Sequence, residues 1–241
     1  MRLGEALAQM QHLPFGALDE ILPARPLILA PHPDDESLGC GGLIAAATAA
    51  GMRPVVAVLT DGAGSHPGSV THPPPALAAL RATEARRALA VLGVAEHDTF
   101  LLGYPDAALP AQGEDFDRAV EKLAWIVLGQ GCGVVVSPWC YDPHCDHEAA
   151  AAMGIALAER YRLILRHYPV WAWLRDPEHP IKENEISGWR FETAAQLAIK
   201  RAAIAAHASQ RGEVIRDSPD GFTLPADLLE ILTRPYEVFL A

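Results

Sequence analysis

The chain is poor in basic residues relative to acidic ones. Its 241 residues include 19 lysines and arginines against 30 aspartates and glutamates, which gives a formal charge of −11 at pH 7. A negative excess of this size repels phosphate backbones and anionic bilayers, and the sequence has no local basic patch that would offset it. We therefore expect no nucleic acid partner.

Long apolar runs are also missing. No stretch of about eighteen apolar residues occurs, so the sequence contains no candidate for a membrane-spanning helix. Residues 1–20 mix Arg2, Glu5, Asp19 and Glu20 with apolar residues, which does not fit a signal peptide, and no signal for a C-terminal anchor is present. These observations predict a soluble, cytoplasmic protein. Whether it forms a homo-oligomer is left open.

Cysteine is scarce, and its spacing carries no signature. Cys40, Cys132, Cys140 and Cys145 form no C-x-x-C pair, which argues against a structural zinc site and a thioredoxin motif. Buried free thiols are the simplest expectation. Because Cys140 and Cys145 flank a group of histidines and aspartates, a thiolate close to a metal stays open as an alternative.

Short apolar segments alternate with helix-length segments through most of the chain. Half of the residues are hydrophobic, enough for one sizeable core, and no linker or repeat divides the chain. We predict a single domain over 1–241 with an α/β fold, a Rossmann-like, mostly parallel sheet with helices on both faces. The predicted strands are 26–30, 54–59, 99–102 and 134–136, with a further strand within 162–173 and a short segment at 235–240. The predicted helices are 41–51, 76–92, 115–128, 147–161 and 193–207.

Ligands of such sheets bind beyond the carboxyl ends of the strands. Function is therefore expected in the turns that follow Ala30, Leu59, Leu102 and Val136. Residues 62–75 are rich in Gly, Ser, His and Pro and are predicted to form an irregular loop.

The turn after the first strand is Pro31–Glu36 (PHPDDE), which puts one imidazole and three carboxylates within five residues. Neighbouring acids raise one another's pKa unless a cation or hydrogen bonds offset them, so a cation here is physically reasonable. Capping of the following helix explains one of Asp34 and Asp35. It does not explain His32 beside three acids.

The turn after the fourth strand, 137–148, again packs imidazoles and carboxylates at a strand end. His144 and His147 are three residues apart and can point into one cleft, where one binds a metal and the other stands nearby. Two histidines and one carboxylate leave open positions on a metal, as catalytic zinc sites do. The same set suits Fe²⁺ or another divalent metal, so ligand type alone does not decide the ion.

These two turns resemble the motifs of the LmbE-like, or PIG-L, zinc-dependent de-N-acetylases. The motif [AP]-H-P-D-D-E matches Pro31–Glu36, and H-x-D-H matches His144–His147. Both are specific, and their order and positions after strands also fit. Weaker matches occur at Thr60–Gly62, Arg81 and Glu84, Leu102–Asp106, Lys200, and His207 with Ser209 and Gln210.

The resemblance implies a role for each site residue. His32, Asp35 and His147 would bind Zn²⁺, and Asp34 would be the general base. His144, held by Asp146, would stabilise or protonate developing charge. Two further residues, Arg81 and Asp106, would contact the sugar, although a solvated helix charge and a turn-former are their simpler interpretations.

The implied function is a hydrolase that removes an N-acetyl group from an amino sugar, such as an N-acetylglucosaminyl conjugate. A zinc-bound water would attack the amide with Asp34 as base. The oxyanion would be held by the metal and by protonated His144 or Tyr141. Either Asp34 or His144 would protonate the leaving amine, and the sugar and its aglycone stay open.

Two other function classes compete with this one. A nucleotide-binding module is suggested by Gly39, Gly41 and Gly42, but Ile44 stands where the last glycine of G-x-G-x-x-G is needed. Three acids just before the helix would also repel a pyrophosphate. A non-catalytic metal or sugar binder would keep the ligands and lose the base, and the presence of Asp34 favours catalysis.

Overall fold

The computed structural model describes all 241 residues and contains a sheet of seven strands in the order β3-β2-β1-β4-β5-β7-β6. Strands β1 to β5 run parallel to one another, and β7 is antiparallel to both β5 and β6. The predicted α/β fold with a mostly parallel sheet is confirmed. The strands are β1 (Pro26–Ala30), β2 (Val55–Thr60), β3 (Thr99–Tyr104), β4 (Val134–Pro138), β5 (Ile164–Tyr168), β6 (Gly188–Glu192) and β7 (Tyr236–Leu240).

Helices cover both faces of the sheet, which is why the central strands are apolar on both sides. In β1, Ile28 and Ala30 pack into the core beneath α3, α4, α7 and α8, whereas Leu27 and Leu29 pack beneath α5 and α6. The helices are α1 (Leu3–Met10), α2 (Leu18–Ile21), α3 (Asp35–Ala49), α4 (Pro74–Val91), α5 (Gly113–Gln130), α6 (Cys145–Tyr161), α7 (Leu197–Ala206) and α8 (Ala226–Leu232).

Strand β1 lies between β2 and β4. Leu27 pairs with Val55 on one side and with Val135 on the other. The chain order of the strands reverses at this point, and open α/β sheets bind ligands at such a reversal. The turns after β1 and β4, which carry the two clusters of histidine and aspartate, are therefore neighbours.

The last third of the chain departs most from the sequence-based prediction. The strand expected within 162–173 ends at Tyr168, before Pro169, and Trp171–Leu174 forms a 3-10 turn instead. The helix expected over 193–207 is regular only as α7. Strand β6 and helices α1, α2 and α8 were not predicted, because they are short and lack a long periodic pattern.

The glycines that suggested a nucleotide site lie inside α3 rather than in a loop. A Cβ atom on Gly39 would overlap the ring of Tyr168, and one on Gly42 would overlap the side chain of Thr193. These glycines allow close packing of α3 against its neighbours. They form no phosphate-binding turn, which removes the basis of the nucleotide interpretation.

No helix of the structure combines the length and the apolar character that crossing a bilayer requires. All four cysteines are free thiols. Cys40 and Cys132 are buried as expected, whereas Cys140 is half-buried and Cys145 is exposed. None of them belongs to a group of side chains that could hold a metal.

Candidate active site and metal centre

Asp34 occupies the N-cap of α3 with a φ of 143° and a ψ of −26°. Residues with a side chain rarely adopt this backbone conformation, which costs about 1–3 kcal/mol. Local hydrogen bonds hold it: the Asp34 carbonyl accepts from the N–H groups of Ser37 and Leu38, and its own N–H donates to Glu36 Oε2 at 3.1 Å. The strained turn places the Asp34 carboxylate at the edge of a cavity.

The structure brings His32, Asp35 and His147 together. Their candidate ligand atoms all lie within 4.8 Å of one another. Asp35 Oδ2 is 3.2 Å from His32 Nδ1 and 3.2 Å from His147 Nε2. His32 also borders the cavity, which leaves one side of the group open.

The donor set and its electrostatics fit a divalent cation. His147 Nε2 is buried and has no hydrogen-bond partner. Burial opposes protonation of this ring, yet the carboxylates of Asp35 and Asp142 raise the pKa of His147 to about 9. Burial would also raise the pKa of Asp35, but His147 and His32 hold it well below its usual range. A cluster that attracts protons this strongly also attracts a metal ion, which would displace them.

A buried carboxylate that the sequence did not single out supports His147. Asp142 Oδ2 lies 3.0 Å from His147 Nδ1. The same carboxylate accepts the N–H groups of Val170 and Ala172 at 3.0 and 2.8 Å. A carboxylate on the far nitrogen fixes the orientation of a metal-binding imidazole and increases its basicity. In the sequence, the sign of this role was that Asp142 lies in the turn 137–148, together with His144 and His147.

The expected contact between His144 and the Asp146 carboxylate is not formed. Their closest approach is 4.0 Å, too long for a hydrogen bond. The Asp146 carboxylate instead accepts the N–H groups of Ala107 and Leu109 at 2.8 and 2.9 Å and lies 3.1 Å from His32 Nε2. His144 Nδ1 accepts the backbone N–H of Asp146 at 3.2 Å.

This backbone contact determines the tautomer of His144. Because Nδ1 accepts a hydrogen bond, the neutral ring carries its proton on Nε2. Burial and the neighbouring His32 and His147 lower the pKa of His144, which favours the neutral form. The protonated His144 that the resemblance implies stays a prediction, which this shift of its pKa does not favour.

Arg81 lines the cavity but is buried, with 3% of its side chain exposed. It donates to the carbonyls of Gly62 and Pro33 at 3.0 and 2.7 Å and to Asp34 Oδ2 at 3.2 Å. Burial raises the pKa of Asp34 to about 6, and the Arg81 guanidinium opposes that rise. The position of Arg81 therefore suits orienting the PHPDDE turn better than contacting a remote part of a sugar.

Of the other two residues expected to contact substrate, only Asp106 reaches the cavity. Asp106 Oδ2 accepts the N–H of Gly64 at 2.9 Å, and Oδ1 lies 3.3 Å from His32 Nε2. The Tyr141 hydroxyl accepts the N–H of Lys182 at 2.8 Å. Tyr141 is not among the residues that line the cavity.

The C-terminal motif at His207 packs behind the PHPDDE turn. His207 Nε2 lies 3.2 Å from Glu36 Oε1, the other oxygen of the carboxylate that holds Asp34. Ser209 donates to Glu84 through both its N–H and its hydroxyl, at 2.8 and 2.6 Å. These buried contacts connect α3 and α4 to the segment after α7 and support the strained turn.

The loop over 62–75 is attached to the C-terminal third of the chain through Asp217. The Asp217 carboxylate accepts from the Ser69 hydroxyl, from the N–H groups of Val70 and Thr71, and from the Thr71 hydroxyl, at 2.8 to 2.9 Å. These hydrogen bonds give an irregular loop a fixed position beside the cavity.

We expect Asp217→Ala to release this loop. Without the four acceptor contacts, local opening becomes easier, and protease cleavage within 62–75 should accelerate by roughly tenfold. Limited proteolysis followed by mass spectrometry measures the effect. Asp19→Ala, which changes another exposed aspartate, serves as the control. Cleavage of Asp217→Ala at the wild-type rate would mean that other contacts hold the loop.

The site opens into a cavity of about 350 Å³. Its lining includes the histidine and aspartate cluster (His32, Asp34, Asp35, Asp106 and His144), together with Arg81 and Ala107. Three further segments contribute to it: the 62–75 loop, the 3-10 turn after β5, and the segment after α7. The residues from these segments are Gly64, Ser65, Pro67, Trp171, Gln210, Asp220 and Phe222.

Comparison with known proteins gives consistent matches. The family model "PIG-L: GlcNAc-PI de-N-acetylase" matches residues 27–158. The chain is 34% identical over 134 residues to diacetylchitobiose deacetylase of Thermococcus kodakarensis, an alignment that covers 54% of this chain and 47% of that protein. The chain thus spans about half the length of this relative.

Two further matches cover more of the chain. The probable N-acetyl-alpha-D-glucosaminyl L-malate deacetylase 2 of Bacillus anthracis is 30% identical over 217 residues, which covers 85% of this chain and 91% of that protein. The solved structure of N,N'-diacetylchitobiose deacetylase from Pyrococcus horikoshii superposes with a TM-score of 0.67 at 20% identity, over 92% of this chain and 86% of that chain. At this identity the match shows a shared fold. On the family match and the extended alignment with the Bacillus protein, the chain belongs to the PIG-L family of de-N-acetylases.

Proposed function

We propose that this protein is a metal-dependent hydrolase that removes the N-acetyl group from an amino sugar, such as an N-acetylglucosaminyl conjugate. The observation that carries the proposal is the buried group of His32, Asp35 and His147 beside a strained Asp34. His32, Asp34 and Asp35 line one cavity. The names of the relatives, which are deacetylases of N-acetylated sugars, support the same reaction. We propose that residues 1–241 act as one domain.

His32, Asp35 and His147 would hold the divalent ion, which we expect to be Zn²⁺. When bound, the ion supplies a Lewis acid for the amide carbonyl and the attacking water. Asp34 takes the proton of that water. With its pKa raised to about 6 by burial, Asp34 is ionised at neutral pH and remains basic enough to accept a proton, as an efficient general base requires.

His144 donates a hydrogen bond to the developing oxyanion. Its Nδ1 accepts from the backbone, so Nε2–H is the free donor. A donor of this type typically contributes about 3 kcal/mol in the transition state. Asp34, which has taken the proton of the water, is the group that we expect to return a proton to the leaving amine.

A non-catalytic binder would not require the conformation of Asp34. A binding site gains nothing from a buried carboxylate that is not a ligand and costs about 1–3 kcal/mol of backbone strain. Such strain is typical of positions where a reacting group must be placed. This observation favours catalysis over simple metal or sugar binding.

Amine release from a panel of N-acetylated sugars tests the function. We expect one divalent ion per chain, release of free amine from at least one amino sugar, loss of activity on chelation, and recovery when the metal is restored. Metal analysis before and after chelation is the control. A metal-loaded protein that releases no amine across the panel would contradict the proposal.

A further inference from the structure

We infer that the part of the substrate remote from the acetamide is a ring that carries a positive charge, as in an aminated sugar or cyclitol, and that anionic aglycones are disfavoured. This inference rests on the proposed deacetylase function and assigns a substrate class to the same site. Its basis is the lining of the cavity beyond the histidine and aspartate cluster.

Two aromatic side chains form part of this lining. The rings of Trp171 and Phe222 have centroids 5.6 Å apart and an interplanar angle of 71°, and both side chains are partly exposed. Trp171 follows β5 and precedes Ala172, whose N–H is held by Asp142. Phe222 is held by its N–H, which donates to the carbonyl of Ser65 at 2.8 Å. Fixed aromatic faces of this kind stack on the apolar face of a ring and attract cations.

The charged residues of the lining are mainly acidic. Asp220 is an exposed carboxylate at the cavity, and Asp106 contributes a second one. The one lysine or arginine in the lining is Arg81, which is buried and already bonded to two carbonyls and to Asp34. A phosphate or carboxylate on the aglycone would find no free cationic partner here and would face like charges.

An ammonium group on the aglycone gains from both features, because it can lie against an aromatic face and near a carboxylate. A neutral hydroxyl group lacks the positive charge that both of these interactions require. The chain's formal charge of −11 adds a long-range attraction for cationic substrates. The expected order of preference is cationic, then neutral, then anionic.

Three matched N-acetylglucosaminides test this order, each with a cyclohexyl aglycone that bears an ammonium, a hydroxyl or a carboxylate group. We expect kcat/KM to fall by roughly fivefold at each step, the size typical of one exposed charge pair. The differences should shrink at high salt, because salt screens exposed charges.

Asp220→Asn should reduce the preference for the ammonium over the hydroxyl compound to within about twofold. Asp19→Asn removes an exposed charge elsewhere and should leave the preference unchanged. Three results would overturn this inference and leave the proposed function standing: equal kcat/KM for the three compounds, a higher kcat/KM for the anionic compound, or an unchanged preference in Asp220→Asn. If neither these three compounds nor any sugar of the wider panel releases amine, the proposed function is overturned, and this inference with it.

Discussion

Asp34→Asn should lower kcat by roughly a hundredfold to ten-thousandfold while the metal content stays nearly unchanged, the loss typical of a removed general base. The amide keeps the size of the side chain but cannot take a proton from water. Asp34 lies beside the ligand group without belonging to it: Asp35 is the carboxylate 3.2 Å from both imidazoles. Steady-state kinetics combined with metal analysis measures both quantities. Loss of the metal in Asp34→Asn would mean that Asp34 and Asp35 have exchanged roles.

Asp34→Ala and Asp34→Gly add a test of the strained backbone. Both lack the carboxylate and should be equally inactive, so they differ only in the Cβ atom. At a φ of 143°, glycine avoids strain of about 1–3 kcal/mol and loses part of this gain through its larger unfolded-state entropy. We expect Asp34→Gly to be about 1 kcal/mol more stable to unfolding than Asp34→Ala. Equal stability would show that the turn relaxes when the carboxylate is removed.

The central sheet could be predicted from the sequence because its strands are buried on both faces. Segments such as 26–30 and 134–136 are continuously apolar and end in polar turns, which is typical of parallel strands. The adjacency of the two histidine and aspartate turns follows from topology, since β1 and β4 are neighbours in the sheet. That adjacency is the reason why His32, Asp35 and His147 converge.

Contacts between distant segments could not be predicted. The sequence offers no local sign that Arg81 bonds to Asp34 across 47 positions, or that Glu36 meets His207 across 171. Buried hydrogen bonds of this kind depend on the completed fold. The same limit applies to β6, which is short and pairs with β7 in an antiparallel edge of the sheet.

The tautomer of His144 is a further example of this limit. A carboxylate two residues away suggested an ion pair, yet the folded turn directs the Asp146 side chain towards Ala107, Leu109 and His32. Only the folded structure shows that His144 Nδ1 faces the backbone N–H of Asp146 and not its carboxylate. A carboxylate at Nδ1 would favour a protonated ring, whereas the backbone N–H favours a neutral ring with its proton on Nε2.

Asp142→Asn should weaken binding of the divalent ion by roughly ten- to a hundredfold, as losses of carboxylates behind metal-binding histidines generally do. Asp142 Oδ2 lies 3.0 Å from His147 Nδ1, and both residues are fully buried. Asparagine keeps one oxygen for the N–H groups of Val170 and Ala172 but removes the negative charge. Competition with a chelator of known affinity measures the change.

Added metal separates this role from a loss of folding. If Asp142 acts by orienting His147, saturating metal should restore most of the activity of Asp142→Asn. Asp142→Ala should in addition lose about 1–3 kcal/mol of stability, because it leaves the N–H groups of Val170 and Ala172 without an acceptor. Glu148→Gln removes an exposed charge beside His147 and should leave metal affinity nearly unchanged. Wild-type metal affinity in Asp142→Asn would show that metal binding by His147 does not depend on this carboxylate.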